Sequence, residues 1–207
     1  MIPRLCYITD ARRGTAGRPL RDVICQAAQG GVGLVVLRER NLPDAELGAL
    51  LEALVPLRKS GLKLVASRRL DLARGYGLEG VHLAADAIPV REARAWLGPQ
   101  ALIGYSAHSC DEARQAAKEG ASYVTLSPIY PTSSKPGAPG RGCAWLADAT
   151  QDLDLPALAL GGLTPGRTRE VLEAGAWGVA AVAAIGAAPD VELAAREFRN
   201  ALLENKR

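Results

Sequence analysis

His108 is one of only two histidines in the 207 residues and lies in the stretch YSAHS, beside hydroxyl-bearing neighbours. An imidazole titrates near neutrality, so a histidine at the rim of a cleft is a natural proton carrier. The same residue could serve as a polar cap on a helix. Two glycine-bearing stretches suggest a second kind of chemistry. ALALGGLTPG (157–166) passes from an apolar run through Gly161 and Gly162 into a helix start, and VAAIGAA (182–188) repeats that character around Ala183 and Ala184. Glycine lets a backbone approach a ligand, and the open N–H groups at a helix start can hold an anion. Two tight turns would also need these glycines. SPIYPTSSKPGAPGRG (127–142) offers Thr132, Ser134 and Lys135 as a clamp for a phosphate or carboxylate, with Gly140 and Gly142 as hinges. It could equally be a solvated connection. Arg38, Glu39 and Arg40 end the run LVVL, and Ser67, Arg68 and Arg69 end LKLVA. Arg38 could meet an anionic ligand or pair with Glu39. His82, inside GVHL, fits a buried and hydrogen-bonded core histidine. No His, Asp and Glu cluster has metal-ligand spacing.

These residues fall at the ends of short apolar runs. The runs are RLCYIT (4–9), LVVL (34–37), LKLVA (62–66), GVHL (80–83), ALIGYS (101–106), YVTLS (123–127), ALAL (157–160) and GVAAV (178–182). Each is too short for a helix and most are apolar on both faces, as buried parallel strands are. The segments between them read as helices. Residues 44–59 place Leu47, Leu50, Leu51, Leu54 and Leu57 on one face, and 110–119 carry acidic residues in the first turn and stop at Gly120. Thr164-Pro165 opens another helix that ends at Gly175, and 192–200 forms the last. Eight strands alternating with helices predict a (β/α)8 TIM barrel, with a doubly wound open sheet as the rival. No linker or composition break interrupts the pattern, so residues 1–207 read as one domain. In such a barrel the chemistry sits where strands end and helices begin. That adds Thr9, Asp10 and Asp86 to the rim residues above.

Composition narrows the class. Hydrophobic residues make up 48% and aromatics only 4%, so Leu, Val and Ala must fill the core. A net charge of +3, with no basic run interleaved with aromatics, argues against nucleic acid. Four separated cysteines without a CxxC pair argue against a metal cluster or redox motif. No stretch reads as a signal peptide or a membrane span. The expectation is a cytoplasmic enzyme with reduced thiols, acting on a small molecule, with a homo-oligomer left open.

The blocks YITD, VLRER, SRRLDLA, GVHL, IGYSAHS, LSPIYPTSSKPGAPGRG, LALGGLTPG and GVAAVAAI, in this order, resemble the thiamine phosphate synthase superfamily. The resemblance implies one barrel with two activities. The synthase joins a pyrimidine pyrophosphate to a thiazole phosphate, releases pyrophosphate and uses magnesium. The thiazole tautomerase (TenI-like) branch aromatises a carboxythiazole phosphate by moving a proton, with no metal. At the place of the synthase's Asn-Asp-Arg this chain reads Ser67-Arg68-Arg69, and the second metal aspartate falls on Ala87. Val36 and Arg40 depart from the glutamine and lysine of strand 2. With both metal carboxylates gone, the resemblance points to the tautomerase and to no cofactor, magnesium being required only by the synthase alternative. On that expectation His108 moves the proton, the amides of Gly161, Gly162, Ala183 and Ala184 hold the phosphate, and Arg38, Lys135 or Arg68 holds the carboxylate. Ser106 and Thr132 orient the ring or the histidine, and Ser134 adds a contact. A regulator that binds a thiamine-related phosphate without turnover is the third reading.

Overall fold

The computed structural model describes residues 1–132, 137 and 139–205. Strands and helices alternate: β1 (Leu5–Ile8), α1 (Leu20–Gly30), β2 (Leu34–Leu37), α2 (Asp44–Leu54), β3 (Lys63–Ser67), α3 (Leu70–Gly75), β4 (Gly80–Leu83), α4 (Val90–Leu97), β5 (Leu102–Ala107), α5 (Cys110–Lys118), β6 (Tyr123–Leu126), α6 (Gly142–Thr150), β7 (Ala157–Leu160), α7 (Thr168–Glu173), β8 (Gly178–Ala181), α8 (Ala183–Gly186) and α9 (Val191–Glu204). All neighbouring strands are parallel, and β1 pairs with β8 as well as with β2, so the sheet closes into a barrel. The rival open sheet is thereby excluded.

Period-two alternation along the strands sorts side chains into two cores. Cys6, Ile8, Leu34, Val36, Val65, Tyr123, Leu158 and Ala180 fill the barrel interior. Tyr7, Val35, Leu64, Val81, Ile103, Val124 and Val179 point outward against the helices. This explains why the runs are apolar on both faces. Cys6 is buried inside the barrel, where desolvation raises its thiol pKa and keeps it protonated. All four cysteines are free thiols.

Several helix ends differ from the sequence expectation for identifiable reasons. The helix expected over 44–59 stops as α-helix at Leu54, and Val55–Ser60 continues as a 3-10 turn, because Pro56 has no N–H to extend the ladder. Pro165–Arg167 is likewise a 3-10 turn leading into α7. Ser109 caps α5 by accepting the N–H of Glu112, and Asp190 caps α9 by accepting that of Leu193. None of the helices among the described residues is long and apolar enough to cross a membrane.

Candidate active site

The carboxyl ends of the strands surround a cavity of about 430 Å³, within the usual small-molecule range of roughly 300–1,000 Å³. It is lined from β1, β2, β3, β4, β5, β7 and β8 and from the segment after β6.

The wall over β1 to β3 is basic. Arg13, Arg38, Arg40 and Arg68 line it, with Asp10 as the carboxylate among the lining residues. Arg38 follows the inward-facing Leu34 and Val36, so alternation aims it over the cavity. Its backbone N–H donates to Thr9 Oγ1 at 2.9 Å and its guanidinium pairs with Asp10 at 3.4 Å. The Arg38–Glu39 pair weighed from sequence does not form. Glu39 turns outward and accepts the Ala11 N–H with both carboxylate oxygens, tying down the segment after β1. Burial raises the Glu39 pKa against these bonds.

The two arginines that end β3 divide their roles. Arg68 has φ +67°, a left-handed backbone uncommon for a side chain of this size. Its N–H donates to the carbonyl of His82 at 3.0 Å, and its guanidinium Nη2 meets both the carboxylate and the carbonyl of Asp86 at 2.8 Å. Arg69 turns away and bonds Asp44 of α2 at 2.6 Å and Asp71 of α3 at 2.7 Å, joining two helix N-termini. Those carboxylates raise its pKa further.

A buried polar chain forms the floor. Tyr123 Oη lies 3.0 Å from His82 Nδ1, and His82 Nε2 lies 2.9 Å from Ser106 Oγ. Tyr123 is fully buried with Nδ1 as the acceptor in reach, so its phenol donates there and Nε2–H donates to Ser106. Ser106 is then left with its hydroxyl hydrogen to offer a ligand. Gly104 makes the chain possible, since a Cβ there would run into the Tyr123 ring and His82 Nδ1. Burial, aided by the charge of Arg38, lowers the His82 pKa to about 4. His82 is thus the hydrogen-bonded core histidine read from sequence, and it also lines the cavity.

His108 stands at the rim. Its Nδ1–H donates to the carbonyl of Ser127 at 2.9 Å, and its backbone N–H donates to Glu112 Oε2 at 2.7 Å. The capping of α5 falls to Ser109 instead. The peptide between Ser127 and Pro128 is cis. Beyond it, Ile129 and Tyr130 donate their N–H groups to Leu160 and Gly161 at 2.9 and 3.0 Å. Tyr130 Oη donates to Glu170 at 2.6 Å, and Arg167 stacks 4.3 Å over its ring. Gly161 (φ +101°) and Gly162 (φ +62°) have a reason besides ligand approach. A Cβ at Gly161 would lie 2.9 Å from Pro128 Cα, and one at Gly162 would lie 2.7 Å from Tyr130 Cβ. The tight-turn reading therefore holds for both, while both also line the cavity beside Ala183 and Ala184 at the start of α8.

Of the residues singled out in the sequence, the structure brings Arg38, Arg68, Ser106, His108, Thr132, Gly161, Gly162, Ala183 and Ala184 around one cavity. Ser134 and Lys135 lie outside the described residues. Sequence reasoning missed Arg13, in the segment after β1, and Tyr123 under His82. Inward parity along GVHL and YVTL was the available signal for the second. Among the described residues no three of His, Cys, Asp and Glu gather as a metal ion would need. The two carboxylates at the basic wall, Asp10 and Asp86, are each paired with an arginine. These residues do not fit a divalent ion.

A family model described as thiamine monophosphate synthase matches residues 5–185. The chain is 38% identical over 194 residues to the thiamine-phosphate synthase of Roseiflexus castenholzii, covering 93% of this chain and 85% of the relative. It is 40% identical over 207 residues to that of Methanoculleus marisnigri, covering 98% and 96%. The solved thiamine phosphate pyrophosphorylase from Pyrococcus furiosus superposes with a TM-score of 0.87 at 29% identity, covering 97% of this chain and 96% of that one. These findings overturn the expected tautomerase and the isomerase class with it: relatives at 35–40% identity across nearly the whole chain carry the synthase name. Lost carboxylates at two positions count against a metal ion, whereas a transfer that sheds an anion needs positive charge, which Arg68 retains. The chain belongs to the thiamine monophosphate synthase family.

Proposed function

We propose that the protein is a transferase that joins a pyrimidine pyrophosphate to a thiazole phosphate. In that reaction the bond from the pyrimidine's side-chain carbon to the pyrophosphate oxygen breaks and its electron pair leaves with the pyrophosphate. A lone pair of the thiazole ring nitrogen closes the new bond, so no net proton is lost. The observation that carries the reading is the family match across the barrel together with a single cavity that has a basic wall facing a backbone wall.

The roles follow from where charge must go. Pyrophosphate departs with the developing negative charge, and the wall of Arg13, Arg38, Arg40 and Arg68 lies where it can be neutralised. The thiazole phosphate fits the opposite side, against the turns at Gly161, Gly162, Ala183 and Ala184, with Thr132 beside it. Ser106, held by His82, offers a hydrogen bond to a heteroatom of either ring. His108 is reassigned from proton carrier to a positioning group at the rim, held on the Ser127 carbonyl, because the transfer itself moves no proton. Ser134 and Lys135 remain candidates for contacts from the long loop. The residues at the basic wall, with Asp10 and Asp86 each paired to an arginine, do not fit magnesium.

The test supplies both substrates to purified protein and follows thiamine phosphate by chromatography. Formation dependent on both substrates supports the transferase. Saturable binding of thiazole phosphate without product would support the non-catalytic regulator instead.

A further inference from the structure

We propose that the β1–β3 side of the cavity is an arginine-built diphosphate subsite that binds its anion directly, with no divalent cation between protein and ligand. The identity of the anion rests on the transferase reading above, while the subsite stands on the geometry of the wall.

Four arginines and one aspartate, Asp10, are among the residues that line this side, and adding the neighbouring Asp86 still leaves cations in excess, four against two. A chelated metal would need those two carboxylates, and each is already committed: Asp10 to Arg38 and Asp86 to Arg68. Arg68 is the central element. Its left-handed backbone is held by the His82 carbonyl, and the side chain leans on Asp86 through Nη2 alone. A guanidinium has five N–H donors, so those on Nε and Nη1 remain for a ligand. Among the described residues neither atom makes a hydrogen bond. Asp86 is well exposed, its side chain 70% accessible, whereas Arg68 is 32% accessible, so the carboxylate steadies the guanidinium from the solvent side. Arg38 is paired with Asp10 at 3.4 Å, here with a carboxylate less exposed than the arginine. Planar guanidinium groups match phosphate oxygens in pairs, and two pre-positioned ones with Arg13 and Arg40 nearby suit a diphosphate better than a single phosphate.

Inorganic pyrophosphate is the probe, titrated calorimetrically into the whole chain with EDTA present and then with magnesium. Saturable binding in EDTA is expected, and magnesium should not strengthen it. Arg68→Gly suits the left-handed backbone and keeps the fold, and it should weaken binding roughly 10- to 100-fold. Arg169→Ala, on the outer face of α7, should leave binding unchanged. Arg68→Lys, which keeps the charge but not the planar donors, should fall between wild type and Arg68→Gly. Binding seen only with magnesium, or equal binding by wild type and a folded Arg68→Gly, overturns the proposal. Thiamine phosphate formation that requires magnesium, with no pyrophosphate binding in EDTA, would retain the transferase and remove this subsite. Pyrophosphate binding in EDTA without product would retain the subsite and remove the transferase.

Discussion

The two walls of the cavity mouth present their hydrogen-bond donors by different means. Over β7 and β8 the proposed donors belong to the main chain, in turns that tolerate no Cβ at Gly161 and Gly162. Over β1 to β3 they belong to arginine side chains, of which Arg38 is braced by Asp10 and Arg68 by Asp86. Main-chain donors are fixed once the barrel closes, so altering them means altering the fold. Side-chain donors are set by local pairing, so they can be removed with the barrel intact. The first wall should thus respond to substitution mainly in stability and the second mainly in binding.

The harshest trial of this difference is Gly162→Val. A side chain there must adopt φ +62° and drive a Cβ within 2.7 Å of Tyr130 Cβ and 2.5 Å of the Pro131 carbonyl. The left-handed backbone costs about 1–2 kcal/mol and the overpacking about 1–3 kcal/mol more. Urea unfolding should show a loss of roughly 2–5 kcal/mol. An unchanged midpoint would mean that the β6 and β7 segments do not pack as seen.

The floor between the walls is sensitive to pH. His82 titrates near 4 in the folded chain against an ordinary 6.5, so the unfolded chain takes up a proton between those values that the folded one refuses. Stability contributed by neutral His82 is complete above about pH 6.5 and is lost as pH falls towards 4, by about 3 kcal/mol. In His82→Gln that component should vanish, so the stability gap between wild type and variant should narrow over this window. Parallel pH profiles would show that His82 is not held neutral. Tyr123→Phe has a smaller effect of the same origin. It leaves Nδ1 of His82 buried without its donor, and should cost about 1–3 kcal/mol in thermal or urea unfolding.

The barrel was legible in the sequence because eight runs such as LVVL and ALAL are apolar on both faces, which only a doubly covered parallel strand explains. Rim residues followed from strand ends alone. Arg13 was not legible, because its place depends on the turn that Glu39 fixes after β1. Tyr123 was hidden because a tyrosine at a strand start reads as packing until the register sets it under His82. The tautomerase expectation followed from Arg68 and Ala87 standing where two metal carboxylates were expected, although an arginine and a metal ion both answer the same need for positive charge. Pro56 shortened a helix whose leucine spacing ran on past it.

The smallest expected stability effect gives the sharpest contrast with Gly162. Arg68→Gly relieves a left-handed arginine, which favours the folded state by about 1 kcal/mol. It also loosens the unfolded chain by about 0.5–1 kcal/mol and removes an ion pair with Asp86 whose largely exposed geometry contributes about 0–1 kcal/mol. These terms nearly cancel, so the urea midpoint should move by no more than about 1 kcal/mol either way. Gly162→Val and Arg68→Gly would then be opposites, one unfolding the chain and the other leaving it folded with a weakened anion site. A large stability loss in Arg68→Gly would mean that the arginine wall, like the glycine wall, is part of what holds the barrel mouth together.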